Sequence, residues 1–218
     1  TPKLSSDQVG NGGHVHFSLR RHGQPVLQGG DGPGGVLPEG AALIAGVLHH
    51  LPALLPIACP LSASYARLAP SSWSAPYQVW GIENREAALR LVPTSVDQVP
   101  AHLELKVADL GANPYLLLGS LQVLAMAALS EAVPLPEPVR GDPARVDGTT
   151  AAHARLPQSL AEGRTALASS AVLSAAMGEL LHESVLDSID AEIARCEGLP
   201  PDQVIASTRW WPLVGGLS

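Results

Sequence analysis

Gly10-Asn-Gly-Gly-His-Val-His-Phe-Ser-Leu19 decides the reading of the chain. After the glycine-rich turn, His14, His16 and Ser18 alternate with Val15, Phe17 and Leu19, the period-two pattern of a strand with one wet and one dry face. The same alternation returns in His102-Leu-Glu-Leu-Lys-Val107, which places His102, Glu104 and Lys106 on one face. Between them, Tyr77 to Ile82 and Glu86 to Val92 read as two more strands around Glu83-Asn84-Arg85. Half-exposed strands of this kind predict antiparallel pairing.

Outward from the strands, 21 glycines and 20 prolines punctuate the chain. Gln28 to Gly35 is a glycine-rich loop, and Glu39 to about Pro52 reads as a helix closed by proline. Pro114 at a helix start leads an apolar run to Leu129. Pro134 to Gly148 reads as a linker-like loop. Residues 156–218 read as a helical region, where Ser159-Leu-Ala-Glu162 forms a capping box for a helix to about Ser169. Val172 to Cys196 follows, with Val185, Leu186, Ile189 and Ile193 on one stripe. Strands first and helices gathered at the end predict an α+β fold rather than a doubly wound sheet.

The composition excludes several classes. Of 218 residues, 46% are hydrophobic and 15% charged, the balance of a folded chain. The net charge is −7, and no run of Lys or Arg is present to neutralise phosphates in series, so nucleic acid is not an expected partner. Cys59 and Cys196 stand far apart, which points to a reducing, cytoplasmic setting. The uncharged stretches 40–65 and 111–130 are interrupted by His49, His50, Pro52, Pro56 and Pro60, and by Asn113, Ser120 and Gln122. They are expected as buried helices, not membrane spans. Thr1-Pro2-Lys3 carries neither a methionine nor an apolar signal segment, and reads as a processed chain or an excised piece.

Three groups carry potential chemistry. His14 and His16 point to the same side of one strand, a spacing suited to a divalent metal or a phosphate. Glu104 is a carboxylate able to complete a hard-cation site. Arg67, Arg85 and Arg90 carry guanidinium forks suited to carboxylate and phosphate oxygens. Each has an ordinary alternative as a solvated strand histidine, an exposed glutamate or a salt-bridge arginine. Taken together they fit a metal–phosphoryl site and equally a His-x-His metal hydrolase.

The order of five segments resembles the catalytic C-terminal part of the glutamine synthetase family, in the branch that joins glutamate to amines. The segments are 10–19, Ser64-Tyr-Ala-Arg-Leu-Ala-Pro70, Trp80-Gly-Ile-Glu-Asn-Arg-Glu-Ala-Ala-Leu-Arg90, His102-Leu-Glu-Leu-Lys-Val-Ala-Asp109 and Ala112-Asn-Pro-Tyr115. Leu156-Pro-Gln-Ser-Leu160 and Thr208-Arg-Trp210 are weaker echoes, so the resemblance spans residues 1–218. It implies a curved antiparallel sheet with packed helices, like that of the glutamine synthetase and guanido kinase catalytic domains. It implies an ATP-dependent ligase in which glutamate is phosphorylated on its side-chain carboxylate and an amine then displaces phosphate. By the same resemblance, His14 and Glu104 would ligate Mg²⁺ or Mn²⁺, His16 would face the ATP phosphates, and Arg67 and Gly10 would hold glutamate. Arg85 and Arg90 would stabilise the transferring phosphoryl group, with Arg85 also binding ATP.

The resemblance has departures. Trp73 stands where glutamine synthetases carry a flap glutamate that assists ammonium deprotonation, which points to a larger amine in an apolar pocket. Lys106 replaces an arginine near the substrate carboxylate, and Val9 and Ala63 replace asparagines. These changes also admit a non-catalytic relative kept for binding or assembly. Arg85 and Arg90 differ by five, which on a regular strand puts them on opposite faces unless Arg85 lies in the preceding turn. The family's N-terminal β-grasp domain and its remaining metal-binding glutamates would lie upstream of Thr1. The family's active sites form between subunits of a homo-oligomeric ring, so this chain alone is expected to be catalytically incomplete.

Overall fold

The computed structural model describes residues 1–70, 72–97, 99–145 and 153–209. Four short strands form one sheet: β1 (Val15–Phe17), β4 (Trp80–Ile82), β5 (Leu89–Val92) and β6 (His102–Leu105), in the order β1-β6-β5-β4. A separate two-stranded ribbon pairs β2 (Arg20–Arg21) with β3 (Gln24–Pro25). The helices are α1 (Pro38–Ala58), α2 (Ser62–Arg67), α3 (Pro114–Ala128), α4 (Leu160–Ala168), α5 (Ala171–Cys196) and α6 (Pro201–Thr208). The α+β class holds.

The sheet is mixed rather than wholly antiparallel. β1 and β5 flank β6 antiparallel, but β4 runs parallel to β5, with Trp80 opposite Leu89 and Ile82 opposite Leu91. Alternation tells which face a residue occupies, not which way its neighbour runs. Here residues 83–88 carry the chain back to the starting end of the sheet instead of closing a hairpin. Glu83 begins that return with a left-handed φ of 52° and donates its N–H to the Leu91 carbonyl at 2.9 Å.

The dry face of the sheet is formed by Leu89, Leu91, Leu103 and Leu105, all fully buried in the core with the apolar side chains of α1. α1 does not stop at Pro52, as expected from the sequence, but runs on through Pro52 and Pro56 to Ala58. A proline inside a helix leaves the carbonyl four residues earlier without its N–H partner. For Pro52 that carbonyl belongs to Leu48, and the Gln78 side chain donates to it at 2.8 Å. α1 is also the one described helix long and apolar enough to cross a membrane, and 72% of its apolar window is buried inside the protein. It crosses α3 at Gly46, where an added Cβ would stand 2.2 Å from the Ala128 Cβ.

α3 starts as expected, with Pro114 in its first turn and the Asn113 side chain accepting from the N–H groups of Tyr115 and Leu116 at 3.0 and 3.3 Å. The Ser159 cap of α4 accepts from the Glu162 N–H at 3.2 Å, while the Glu162 carboxylate takes the Gln158 N–H at 2.9 Å. α5 is broken at Gly178, whose φ of 71° and ψ of 164° are not helical, so the single helix expected over 172–196 is two pieces. The segment after Pro134 lies along β4: Trp80 Nε1 donates to the Pro136 carbonyl at 2.7 Å, and the Val139 N–H to the Trp80 carbonyl at 2.9 Å. The end of the expected loop at 146–148 and the C-terminal residues from Trp210 lie outside the described residues.

Candidate active site

Backbone register assembles the site. His16 on β1 is opposite Glu104 on β6, which is opposite Arg90 on β5, so the three lie in one row across the sheet. Directly opposite residues point to the same side, and His14, two residues before His16, lies one step along the same face. Glu104 is the hub. Its Oε1 lies 2.7 Å from His14 Nδ1 and 3.7 Å from His16 Nε2, and its Oε2 accepts from Arg90 Nη1 at 3.1 Å. The other end of the Arg90 guanidinium, Nη2, donates to the Glu83 carboxylate. The His16 ring rests against His102 with centroids 5.1 Å apart.

Glu104 is only 3% exposed, and an isolated buried carboxylate would be costly. Burial by itself raises its pKa, but Lys106, His14 and Arg90 together outweigh that and hold it below the usual carboxylate range. His14 is shifted down, first by burial and then by Lys106, against the pull of Glu104. Lys106 is also shifted down by burial, with Glu104 opposing. The row therefore presents an ionised carboxylate beside an imidazole biased toward its neutral form, the protonation states that ligate a divalent cation. Among the described residues no cluster of three or more His, Cys, Asp or Glu side chains is preformed for a metal. His14 and Glu104 nonetheless supply one nitrogen and one oxygen donor in contact, which fits Mg²⁺ or Mn²⁺ completed by further oxygen ligands.

The remaining expected residues divide. Arg85 lies exposed in the turn before β5, which removes the conflict with Arg90 over strand faces. Its charge acts on Lys106. Arg67 and Gly10 do stand together, for a Cβ on Gly10 would sit 2.1 Å from Arg67 Cγ. The Arg67 guanidinium, however, is buried beneath this segment and donates to the carbonyls of Val107 and Ala108. Its Nη2 also lies 3.9 Å from Asp109 Oδ2. Trp73 is 68% exposed, with a left-handed φ of 53°. Ala63 is fully buried and Val9 is exposed.

Two features escape a reading by periodicity. Glu83 was expected only as a turn residue, and no spacing signal tells that its backbone turns left-handed and brings its carboxylate to Arg90. Asp109 and Cys59, buried around Arg67, are reached from three separate segments of the chain. Burial, and then Asp109, push the Cys59 thiol far up, which favours its protonated form.

Comparisons with known proteins bear on this geometry. The glutamine synthetase catalytic-domain family matches residues 1–205. The chain is 42% identical over 214 residues to gamma-glutamylpolyamine synthetase GlnA3 of Streptomyces coelicolor, covering 96% of this chain and 46% of that protein. It is 30% identical to the glutamine synthetase of Methanocaldococcus jannaschii over 88% of this chain and 42% of that one. Among solved structures, a novel glutamine synthase homolog superposes with a TM-score of 0.80 at 29% identity, over 95% of this chain and 47% of that chain. The GmaS/ADP complex follows with 0.79 at 25% identity, over 95% and 48%. The chain thus spans about half the length of the relatives it matches. With the family match over nearly its whole length and the imidazole, carboxylate and guanidinium row in place, the chain belongs to the glutamine synthetase family, as part of its catalytic domain.

Proposed function

We propose that the intact protein is an ATP-dependent ligase that joins the γ-carboxylate of glutamate to an amine larger than ammonia, of the polyamine class. The observation that carries this reading is the row in which Glu104 joins His14 to Arg90, on a chain 42% identical to a gamma-glutamylpolyamine synthetase. Supporting the larger amine is Trp73, an exposed aromatic able to stack on a cation, at the position where an acidic flap residue is expected for ammonia.

In this reaction a carboxylate oxygen of glutamate attacks the γ-phosphorus of ATP, and ADP departs. The amine nitrogen then attacks the acyl carbon, phosphate leaves, and the amine gives up a proton. Arg90 and Arg85 offer guanidinium donors to the transferring phosphoryl oxygens. His16, on the same face as Glu104, faces the ATP phosphates. His14 and Glu104 would hold Mg²⁺ or Mn²⁺, which when bound neutralises phosphate charge and orients the phosphoryl group for in-line transfer. Lys106, His14 and Arg90 keep Glu104 ionised for that task. Gly10, Arg67 and Lys106 are assigned to glutamate by resemblance. Arg67, turned onto the Val107 and Ala108 carbonyls, supports in addition a structural share in holding the loop that presents His14. The working protein is a cytoplasmic homo-oligomeric ring with active sites between adjacent subunits.

The test is ADP release by the intact protein with Mg²⁺, ATP and glutamate, against ammonia, monoamines, polyamines and aromatic amines. Turnover that depends on a polyamine supports the reading. Equal silence with every amine overturns it.

A further inference from the structure

Arg90 is shared between two carboxylates of opposite character. Glu104 is buried, with its side chain 4% exposed, and reaches Nη1, whereas Glu83 is 50% exposed and reaches Nη2. Arg90 Nε is buried with no partner among the described residues, and each outward-facing end of the fork meets one of the two carboxylates. Glu83 is not placed there by strand geometry. It stands at the first residue of the tight return from β4 to β5, in a left-handed conformation that side-chain-bearing residues adopt only when their surroundings hold them. The Leu91 carbonyl, next to Arg90 in sequence, provides that hold by accepting the Glu83 N–H at 2.9 Å. The backbone that sets Glu83 and the strand that carries Arg90 are therefore one unit.

We infer that Glu83 is a positioning residue that holds the Arg90 fork in plane and competes with phosphoryl oxygens for its Nη2. This rests on the proposed phosphoryl-transfer reading, and deepens it by naming what an incoming anion must displace. Of the two carboxylates, Glu83 is the one that exchanges. Its oxygens are already half in water, and water replaces Arg90 for it at small cost, while Glu104 released from Arg90 would be left buried beside fewer cations. The Glu83–Arg90 pair thus lowers affinity for a phosphoryl anion and keeps Arg90 oriented until one arrives.

The experiment measures pyrophosphate binding to the intact protein by calorimetry at fixed ionic strength, for wild type, Glu83→Gln, Arg90→Gln and the double variant. Glu83→Gln is expected to bind about twofold to fivefold more tightly, the upper part of the range for releasing a partly exposed ion pair. The gain should vanish in the double variant. Unchanged or weaker binding by Glu83→Gln overturns the inference. So does a gain that persists without Arg90, since that would be a general loss of negative charge. Thermal denaturation of the same proteins separates these results from misfolding. Because no amine or glutamate is present, failure of the ligase reading in the turnover assay and failure of this one remain distinguishable.

Discussion

The sheet that carries the site and the C-terminal helical block are built on opposite principles. In the sheet, four strands of three or four residues bury Trp80, Leu89, Leu91, Leu103 and Leu105 in the core, and the opposite face gathers His14, His16, Arg90, Glu104 and Lys106. In the block, α5 is 26 residues long, yet only Leu173, His182, Ile189 and Glu192 are buried, and Leu180 is 81% exposed. Short strands gain position from their neighbours' backbones, so side chains on them are placed to within a hydrogen bond. A long helix touching the body along one stripe is positioned only where that stripe packs. The arrangement that sets a carboxylate 2.7 Å from an imidazole is therefore found on the sheet.

The contrast is sharpest in activity. Glu104→Gln or Arg90→Ala in the intact protein should lower ATP-dependent phosphate release by about a hundredfold or more, with circular dichroism unchanged, whereas Leu180→Ala should leave turnover as it is. Wild-type rates with Glu104→Gln would break the distinction. Stability comes next. Leu103→Ala, fully buried beneath the site, should cost about 2–5 kcal/mol, and Leu180→Ala less than about 0.5 kcal/mol, both read from urea denaturation midpoints.

A smaller effect is expected at the break in α5. Gly178 has a φ of 71° and ψ of 164°, a region open essentially to glycine alone, and a Cβ there meets nothing within 4 Å. Gly178→Ala should thus cost about 1–3 kcal/mol through the backbone only. A stabilised variant would mean that the two pieces of α5 merge into one helix. Least disruptive is thiol labelling. Cys59, fully buried at the end of α1 against Val107 with its thiol pushed up by burial and Asp109, should resist an aromatic disulfide reagent at pH 7.5 until the protein unfolds. Half-buried Cys196, at the end of α5, should react slowly in the native state. Equal rates would show that the core at the end of α1 opens as readily as the helical block.

Much of the site was legible because its geometry is local. A period of two puts His14 with His16, and Glu104 with Lys106, whatever the rest of the chain does. The caps at Asn113 and Ser159 are equally local, a side chain reaching two or three residues ahead. The end of α1 is not legible in the sequence because proline's penalty is local but its remedy is not: Gln78 is 30 residues away from the carbonyl it rescues. Arg67 resembles a substrate arginine in sequence, but its burial under Gly10 and its carbonyl partners at 107 and 108 are contacts between distant segments.

By itself, then, the amino-acid sequence determined the α+β class and which histidines, carboxylates and cations share a strand face, because alternation and composition are properties of neighbours along the chain. Only the tertiary structure decided that β4 runs parallel to β5, that His16, Glu104 and Arg90 form one row, and that Glu83 closes on Arg90. Strand direction and register depend on how the connecting turns return the chain, and on which apolar faces meet in the core. These are decided between segments, where no repeat in the sequence records them.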